Sequence, residues 1–210
     1  MTSPLSGETA LHAAPVAELP SSVCVYCGTG SAVNPLYKDA ASALGRALAS
    51  SNVRLVYGGG SVGLMGIVSE SCMQAGGRVM GIIPGHLSEK EGQKHDITDL
   101  VVVDSMHTRK HMMVEQSDGF VVLPGGLGTL DETFEILTWK YLGLHDKPVV
   151  LVNINGFYDP LVATVRHMVR EGFTPEHHLD MFAVVERVED VLPALSRLPA
   201  GNEVVKTERM

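Results

Sequence analysis

The sequence predicts an α/β protein with a single doubly wound, Rossmann-like domain, in which helices cover both faces of a mostly parallel sheet. Short runs of β-branched residues alternate with segments of helical length along most of the chain. The runs VVLP at 121–124 and PVVLV at 148–152 are almost continuously apolar, which is typical of strands buried on both faces. The 22 glycines show no period, which excludes collagen-like and repeat architectures.

The strands are predicted from β-branched runs that end at glycine, proline or polar residues. In chain order they cover 23–26, 53–57, 78–83, 100–103, 120–123 and 148–152, and a weaker strand falls in 182–197. The helices are predicted from apolar residues at helical spacing, with Pro35 at a helix start and Gly76 and Gly77 at a helix end. They cover 35–50, 63–75, 105–117, 129–142, 158–171 and the last part of 182–197. Polar residues 86–96 are predicted to form a loop.

Composition and charge limit the classes of partner. The 16 Lys and Arg against 24 Asp and Glu give a net charge of −8, which disfavours nucleic acid but leaves a small anion possible through a few local donors. The apolar runs are shorter than the roughly 18 residues that a membrane span needs. Three cysteines and no signal pattern in 1–20 predict a cytoplasmic protein, with a flexible tail over 1–20, one domain over 21–200 and a C-terminal tail over 201–210.

Three glycine-rich turns follow predicted strands, at 28–31, 58–66 and 124–129. In a doubly wound sheet such turns share the carboxyl edge, where ligands bind. A dinucleotide site is not predicted, because the third glycine of GxGxxG is missing and Tyr57 ends the second strand where an acid would bind the ribose. A GxxxxGK[ST] motif is also missing, so a mononucleotide-sized phosphate ligand remains.

The segment PGGLGTLDE at 124–132 is the turn richest in functional residue types. Its glycines let backbone N–H groups converge on an anion, and Thr129 can cap the helix or donate its hydroxyl to a phosphate. The predicted core stripe of the following helix comprises Leu130, Phe134, Leu137 and Tyr141. Glu132, Glu135 and Thr138 are predicted on a different face, beside the glycine turn, although this segment taken alone is better explained by the preference of Asp131 and Glu132 for the positive helix end.

The helix at 105–117 carries Arg109 and Lys110 among methionines and histidines. Adjacent basic residues are usually a solvated pair. This helix begins at the same sheet edge, however, where an arginine can bind a phosphate or position the Glu132 carboxylate.

The segments YGGGSVGLMG at 57–66, MHTRK at 106–110 and PGGLGTLDE at 124–132 resemble the LONELY GUY family of cytokinin riboside 5′-monophosphate phosphoribohydrolases, often labelled lysine decarboxylase-like. The resemblance extends over roughly 23–175. It implies hydrolysis of cytokinin riboside 5′-monophosphates, with AMP as a further candidate substrate, to free base and ribose 5-phosphate, with Glu132 as the catalytic carboxylate and Arg109 as its partner. The implied substrate-binding residues are Gly28, Gly59, Glu91, Lys110, Gly126, Leu127, Gly128, Thr129, Leu130, Asp131 and Thr138. Lys90 and Thr29 depart from the arginine and serine that are common in the family.

The implied chemistry agrees with the residue types. Cleavage of a ribosyl–purine bond builds positive charge on the sugar, which a carboxylate stabilises while it activates water. No metal or cofactor is required. The resemblance also implies a homodimer with the site near the subunit boundary.

Other interpretations are possible for parts of this pattern. A carrier on the same scaffold, as in the molybdenum-cofactor carriers that resemble this family, would hold a phosphate-bearing ligand without turnover, but it needs neither Glu132 nor Arg109. Cys24 and Cys27 form a CxxC whose side chains point to opposite faces of a strand, which disfavours metal or redox roles. Lys110 and Lys140 are the only candidate lysines for binding pyridoxal phosphate, and nothing else in the sequence suggests that cofactor.

Overall fold

The computed structural model describes residues 18–87 and 97–197, and these residues contain a seven-stranded sheet. Its strands are β1 (Ser22–Tyr26), β2 (Arg54–Tyr57), β3 (Val79–Pro84), β4 (Asp99–Val103), β5 (Gly119–Val122), β6 (Val149–Val152) and β7 (Ala183–Val185). The strand order is β4-β3-β2-β1-β5-β6-β7, and every pairing is parallel. The predicted doubly wound sheet is therefore confirmed.

The helices follow the predicted alternation. They are α1 (Pro35–Ser50), α2 (Gly63–Gln74), α3 (Met106–Glu115), α4 (Leu127–Tyr141), α5 (Asp159–Arg170) and α6 (Val191–Arg197). The side chains of Asn34 and Ser105 accept hydrogen bonds from main-chain N–H groups at the starts of α1 and α3, which fixes where these helices begin. In the described part of the chain, no helix combines the length and apolarity needed to cross a bilayer.

Two hydrophobic cores lie on opposite faces of the sheet. Side chains from α1, α2 and α6 contribute to one core, and side chains from α3 and α4, with the partly buried face of α5, contribute to the other. Successive β1 residues alternate between the two cores. Cys24 and Cys27 consequently belong to different cores, as the strand interpretation of the CxxC predicted.

The predicted core stripe of α4 is wrong at two of its four positions, since Leu130 and Leu137 pack into the core but Phe134 and Tyr141 do not. Leu137 is buried, but Phe134 and Tyr141 are 40% and 52% exposed. The buried face consists of Thr129, Glu132, Thr133, Ile136 and Leu137. Helical spacing determines which side chains share a face, but the rotation of α4 about its axis depends on which face meets the sheet and α3.

The order in which strands are added to the sheet reverses between β1 and β5. The strands β2, β3 and β4 extend from one side of β1, whereas β6 and β7 extend beyond β5 on the other. The loops that follow β1 and β5 therefore meet at a topological switch point, the usual ligand site of such sheets. Main-chain hydrogen bonds join all three glycine-rich turns there, because Gly28 N–H donates to Pro124 O (3.1 Å) and Leu64 N–H donates to Gly28 O (2.9 Å).

Several predicted features lie outside the described residues. They are most of the tail at 1–20, most of the loop at 86–96, the domain's last three residues at 198–200 and the tail at 201–210.

Candidate active site

A cavity of about 300 Å³ opens at the switch point. Its lining residues come from the turn after β1, from the segment after β3, from α2 and α3, and from the start of α4: Cys27, Gly28, Thr29, Met65, Leu87, Met106, Arg109, Gly126, Leu127, Gly128, Thr129 and Glu132. Arg109 and Glu132 are the ionisable pair among them. The cavity thus combines a charged pair, a helix N-terminus and apolar side chains in one small volume.

Arg109 and Glu132 form an ion pair between α3 and α4. Nη1 of Arg109 lies 3.2 Å from Oε1 of Glu132, and only 9% and 10% of the two side chains are exposed. Nε of Arg109 donates to the main-chain carbonyl of Ile82 in β3 at 3.2 Å. The guanidinium is therefore anchored to the sheet while it holds the carboxylate.

Gly58 makes room for this guanidinium. A Cβ on Gly58 would overlap Nη2 of Arg109 and lie 3.1 Å from Sδ of Met65. Any larger residue would displace Arg109 or Met65 from the cavity wall, so the glycine-rich turn after β2 shapes the ion pair directly.

The environment of Glu132 makes its carboxyl group less acidic. Burial raises the pKa of Glu132 to about 7, while the positive charge of Arg109 pulls that pKa down. Near neutral pH the group is therefore present in both protonation states. A carboxylate in this condition can accept a proton from water and can stabilise positive charge that develops beside it.

The start of α4 lies at the cavity and has the main-chain donors of a helix N-terminus. Leu130 N–H makes the helix's first main-chain bond, to Gly126 O at 3.0 Å, so the N–H groups of residues 127–129 precede the helical hydrogen-bond pattern. Gly126 at the N-cap gives no side-chain cap. Thr129 is buried, and Thr133 Oγ1 donates to Thr129 O at 2.6 Å, which fixes this first turn. Main-chain donors at a helix N-terminus favour a phosphate group.

Lys110 joins α3 to α4 beside the ion pair. Its Nζ lies 3.2 Å from Asp131 Oδ2 and 3.0 Å from Glu135 Oε1. Burial would lower the pKa of Lys110, but the bonds to these two carboxylates outweigh it and raise the pKa. Lys110 and Asp131 thus neighbour the cavity and are paired with each other.

The structure brings seven predicted site residues to the cavity wall, namely Gly28, Arg109, Gly126, Leu127, Gly128, Thr129 and Glu132. Other predicted residues lie elsewhere. Gly59 is buried against Ile83, Leu130 packs against the core beneath α4, and Thr138 is exposed farther along that helix. Glu91, like Lys90, lies outside the described residues.

Five lining residues were not predicted as site residues: Cys27, Thr29, Met65, Leu87 and Met106. Met106 precedes Arg109 by one helical turn, and its Sδ lies 3.8 Å from Arg109 Nη1. The i, i+3 spacing was therefore a usable signal for Met106. Cys27 directly precedes the Gly28 turn, so its position at a strand end was a signal as well.

Comparisons with known proteins identify relatives of this chain over most of its length. The family model described as "Possible lysine decarboxylase" matches residues 65–195. A probable cytokinin riboside 5′-monophosphate phosphoribohydrolase of Oryza sativa subsp. japonica is 45% identical, covering 81% of this chain and 78% of that protein. A cytokinin riboside 5′-monophosphate phosphoribohydrolase of Rhodococcoides fascians is 43% identical, covering 84% of this chain and 89% of that protein.

Solved structures show the same fold at lower identity. The molybdenum cofactor binding protein of Rippkaea orientalis has a TM-score of 0.63 and 24% identity, covering 82% of this chain and 93% of that chain. Because the family model spans more than half of the sequence and the curated relatives align along most of it, the chain belongs to the "Possible lysine decarboxylase" family, alongside relatives named as cytokinin riboside 5′-monophosphate phosphoribohydrolases.

Proposed function

We propose that this protein hydrolyses the N-glycosidic bond of cytokinin riboside 5′-monophosphates, and of AMP, to free base and ribose 5-phosphate. The observation that carries the proposal is the buried Arg109–Glu132 pair, 3.2 Å apart, on a cavity that also contains the N-terminus of α4. The names of the relatives supply the substrate class.

Glu132 is the catalytic carboxylate in this proposal. As the bond between ribose C1′ and the purine nitrogen breaks, its electron pair leaves with the base and positive charge develops on the sugar. The ionised form of Glu132 stabilises that charge and accepts a proton from the water that adds to C1′. The departing base takes up one proton in exchange, so that it is released neutral and Glu132 returns to its ionised form. Its pKa of about 7 suits proton transfer near neutral pH.

Arg109 keeps enough of Glu132 ionised for this step. A bound phosphate brings negative charge near the carboxyl group and would raise its pKa further. The positive charge of the guanidinium lowers the pKa of Glu132 and so opposes the effects of the phosphate and of burial. Its hydrogen bond to the Ile82 carbonyl leaves the guanidinium little freedom to move.

The phosphate is proposed to bind at the Gly126–Thr129 turn. Main-chain N–H groups of the first helical turn point toward an anion at that end, and Gly28 and Thr29 form the facing wall. Lys110 and Asp131 lie behind the pair and contribute to the positioning of α3 against α4. The apolar lining by Met65, Leu87, Met106 and Leu127 supports contact with the less polar part of the nucleotide.

We also propose that the protein is a cytoplasmic homodimer. The apolar side chains at Leu127, Phe134 and Tyr141, spaced seven residues apart along α4, and at Leu142 directly after it, are each 40% or more exposed. Such a row supports a contact with a second copy of the chain. The cytoplasmic location is supported by the three free, buried cysteines, Cys24, Cys27 and Cys72.

Two alternatives are less well supported. The likeness to molybdenum-cofactor carriers is one of fold, and a carrier has no need of a buried carboxylate held by an arginine. For a decarboxylase that uses a lysine-bound cofactor, the candidates Lys110 and Lys140 do not fit. Lys110 is bound by two carboxylates, and Lys140 Nζ donates to Lys147 O at 2.8 Å; neither lines the cavity.

Chromatography of reaction mixtures tests the proposal. The protein is incubated separately with AMP and with isopentenyladenosine monophosphate. We expect free base and ribose 5-phosphate in equal amounts from at least one nucleotide. Intact nucleotide after prolonged incubation at high protein concentration would contradict the proposed reaction for these substrates.

A further inference from the structure

Tyr158 contacts the main chain where it enters the phosphate-binding turn. This residue directly precedes α5, and its side chain is 1% exposed. Its hydroxyl donates to the main-chain carbonyl of Leu123 at 2.7 Å. Burial raises the pKa of Tyr158, so the hydroxyl keeps its proton and remains a donor at neutral pH.

Leu123 is the last residue before the Pro124–Gly126 turn. Its N–H donates to Tyr26 O in β1 at 2.9 Å, and its carbonyl accepts the Tyr158 hydroxyl. The next carbonyl, of Pro124, accepts the Gly28 N–H at 3.1 Å. The Leu123 N–H, the Leu123 carbonyl and the Pro124 carbonyl are therefore each held by a different residue. Tyr158 is the one that acts through a side chain.

A rigid frame presents the Tyr158 hydroxyl. Asn153 Oδ1 accepts the Tyr158 N–H at 2.6 Å, and Asn153 Nδ2 donates to Asp159 Oδ1 at 2.8 Å. The N–H of Asn153 donates to Val185 O in β7 at 2.7 Å. The Tyr158 ring also packs edge-on against Phe157, with ring centroids 5.0 Å apart. The phenol position is thus set by the sheet, not by an exposed loop.

We propose that Tyr158 is a positioning residue that aims the 124–129 turn at the substrate's phosphate. This inference rests on the proposed function, because it takes that turn to be the phosphate site. Donors that are preorganised for an anion lose effect when their main chain shifts by a fraction of an ångström. Without the hydroxyl, the Leu123 carbonyl loses this donor, and the start of the turn keeps its main-chain bonds to Tyr26 and Gly28 but loses its side-chain support.

The effect should fall mainly on binding and much less on the chemical step. Glu132 lies on α4, whose position also depends on Ile136 and Leu137 in the core and on the bond from Arg109. These contacts remain when the Tyr158 hydroxyl is removed. The phosphate turn keeps the bond from Gly28 N–H to the Pro124 carbonyl but loses the hydroxyl that holds the carbonyl directly before it.

The test compares Tyr158→Phe with Ser22→Ala. Both changes delete one buried, hydrogen-bonded hydroxyl, but Ser22 donates to Asp118 at the opposite end of β1. Binding of ribose 5-phosphate is measured by isothermal titration calorimetry, and AMP kinetics and thermal unfolding are recorded alongside. For Tyr158→Phe we expect Kd and KM to rise about tenfold and kcat to stay within about threefold. For Ser22→Ala we expect an unchanged Kd, whatever the fall in Tm.

The outcomes separate the inference from the proposed function. An equal Kd for wild type and Tyr158→Phe overturns the positioning role, and so does an equal rise in Ser22→Ala. If wild type binds ribose 5-phosphate but does not cleave AMP or isopentenyladenosine monophosphate, the proposed hydrolysis fails while the Kd comparison still decides the role of Tyr158. If wild type does not bind ribose 5-phosphate, the turn is not a phosphate site and the inference is overturned.

Discussion

The main chain of Gly58 lies directly against the guanidinium of Arg109, in space that a side chain would fill. Gly58 is the first residue of the turn after β2, and Arg109 lies on α3. The contact therefore joins the glycine-rich segment at 57–66 to the basic segment at 106–110. It explains why the turn after β2 needs a glycine at this position even though Gly58 itself does not line the cavity.

Gly58→Ala should lower activity by displacing Arg109. A methyl group there overlaps Nη2, so the guanidinium must move away from Glu132. Misplacement of a catalytic group on the order of 1 Å lowers kcat by roughly 10–10²-fold. Steady-state kinetics with AMP or isopentenyladenosine monophosphate measure the effect. In the control Gly85→Ala, the new Cβ meets Val102 at 3.8 Å, an ordinary contact, and kcat should not change. Equal kcat values for wild type and Gly58→Ala would show that Arg109 does not need its observed position.

The rate should depend on the ionisation of Glu132. Its pKa is raised to about 7, and the ionised form is the active one, so kcat/KM should increase with pH up to about 7 and then level off. Below that pKa, each pH unit should reduce kcat/KM about tenfold. A pH–rate profile from pH 5 to 9 checks this prediction. A rate that falls as the pH rises through 7 would indicate instead that the protonated carboxyl is required.

His145 should make the protein less stable in acid. Its Nε2 lies 2.8 Å from the Ile136 carbonyl and its Nδ1 accepts the Lys147 N–H at 3.2 Å, a pattern that suits the neutral ring. Burial lowers the pKa of His145 to about 4. The unfolded chain takes up this proton near pH 6.5, so the contribution to the free energy of unfolding is complete above pH 6.5 and is lost as the pH falls to about 4. The full loss is on the order of 3 kcal/mol.

Urea unfolding of wild type and His145→Gln between pH 7.5 and 4.5 measures this contribution. Glutamine can still donate to the Ile136 carbonyl but does not titrate. The stability of wild type relative to the variant should therefore decrease as the pH falls. A difference that is the same at every pH would rule out His145 as the titrating group.

Phe134→Glu should weaken the proposed dimer. Phe134 is 40% exposed on α4, and a charge there would be buried in the contact between subunits. Sedimentation velocity should show a shift toward the monomer. The control Leu36→Glu places the same charge at a half-exposed apolar position on α1, on the other face of the sheet, and should leave the association state unchanged. A wild-type protein that sediments as a monomer at all concentrations would contradict the dimer itself.

The fold and the meeting of the three turns follow from the sequence for a simple reason. Strands buried on both faces are read as continuous apolar runs, and parallel strands place every strand-to-helix turn at one edge. Glu132 and Arg109 were predicted from the resemblance of PGGLGTLDE and MHTRK to the family's motifs, and both side chains line one cavity.

The packing across the fold could not be predicted in the same way. The core stripe expected at Phe134 and Tyr141 is exposed, because periodicity does not reveal which face of a helix meets the sheet. The contact of Tyr158 with Leu123 joins residues that are 35 positions apart, and no local pattern distinguishes this tyrosine from the others. The role of Gly58 likewise depends on where the Arg109 side chain ends, which only the folded structure shows.

The most direct measurement is the turnover and binding of AMP and isopentenyladenosine monophosphate by Glu132→Gln. Glutamine keeps the size of the side chain but cannot take a proton from water or carry negative charge. We expect kcat to fall by about 10²–10⁴-fold, with a much smaller change in the Kd for nucleotide. The control Glu115→Gln makes the same change at an exposed position at the end of α3 and should retain full activity. A Glu132→Gln protein that cleaves the nucleotides at the wild-type rate would contradict the central role of this carboxylate.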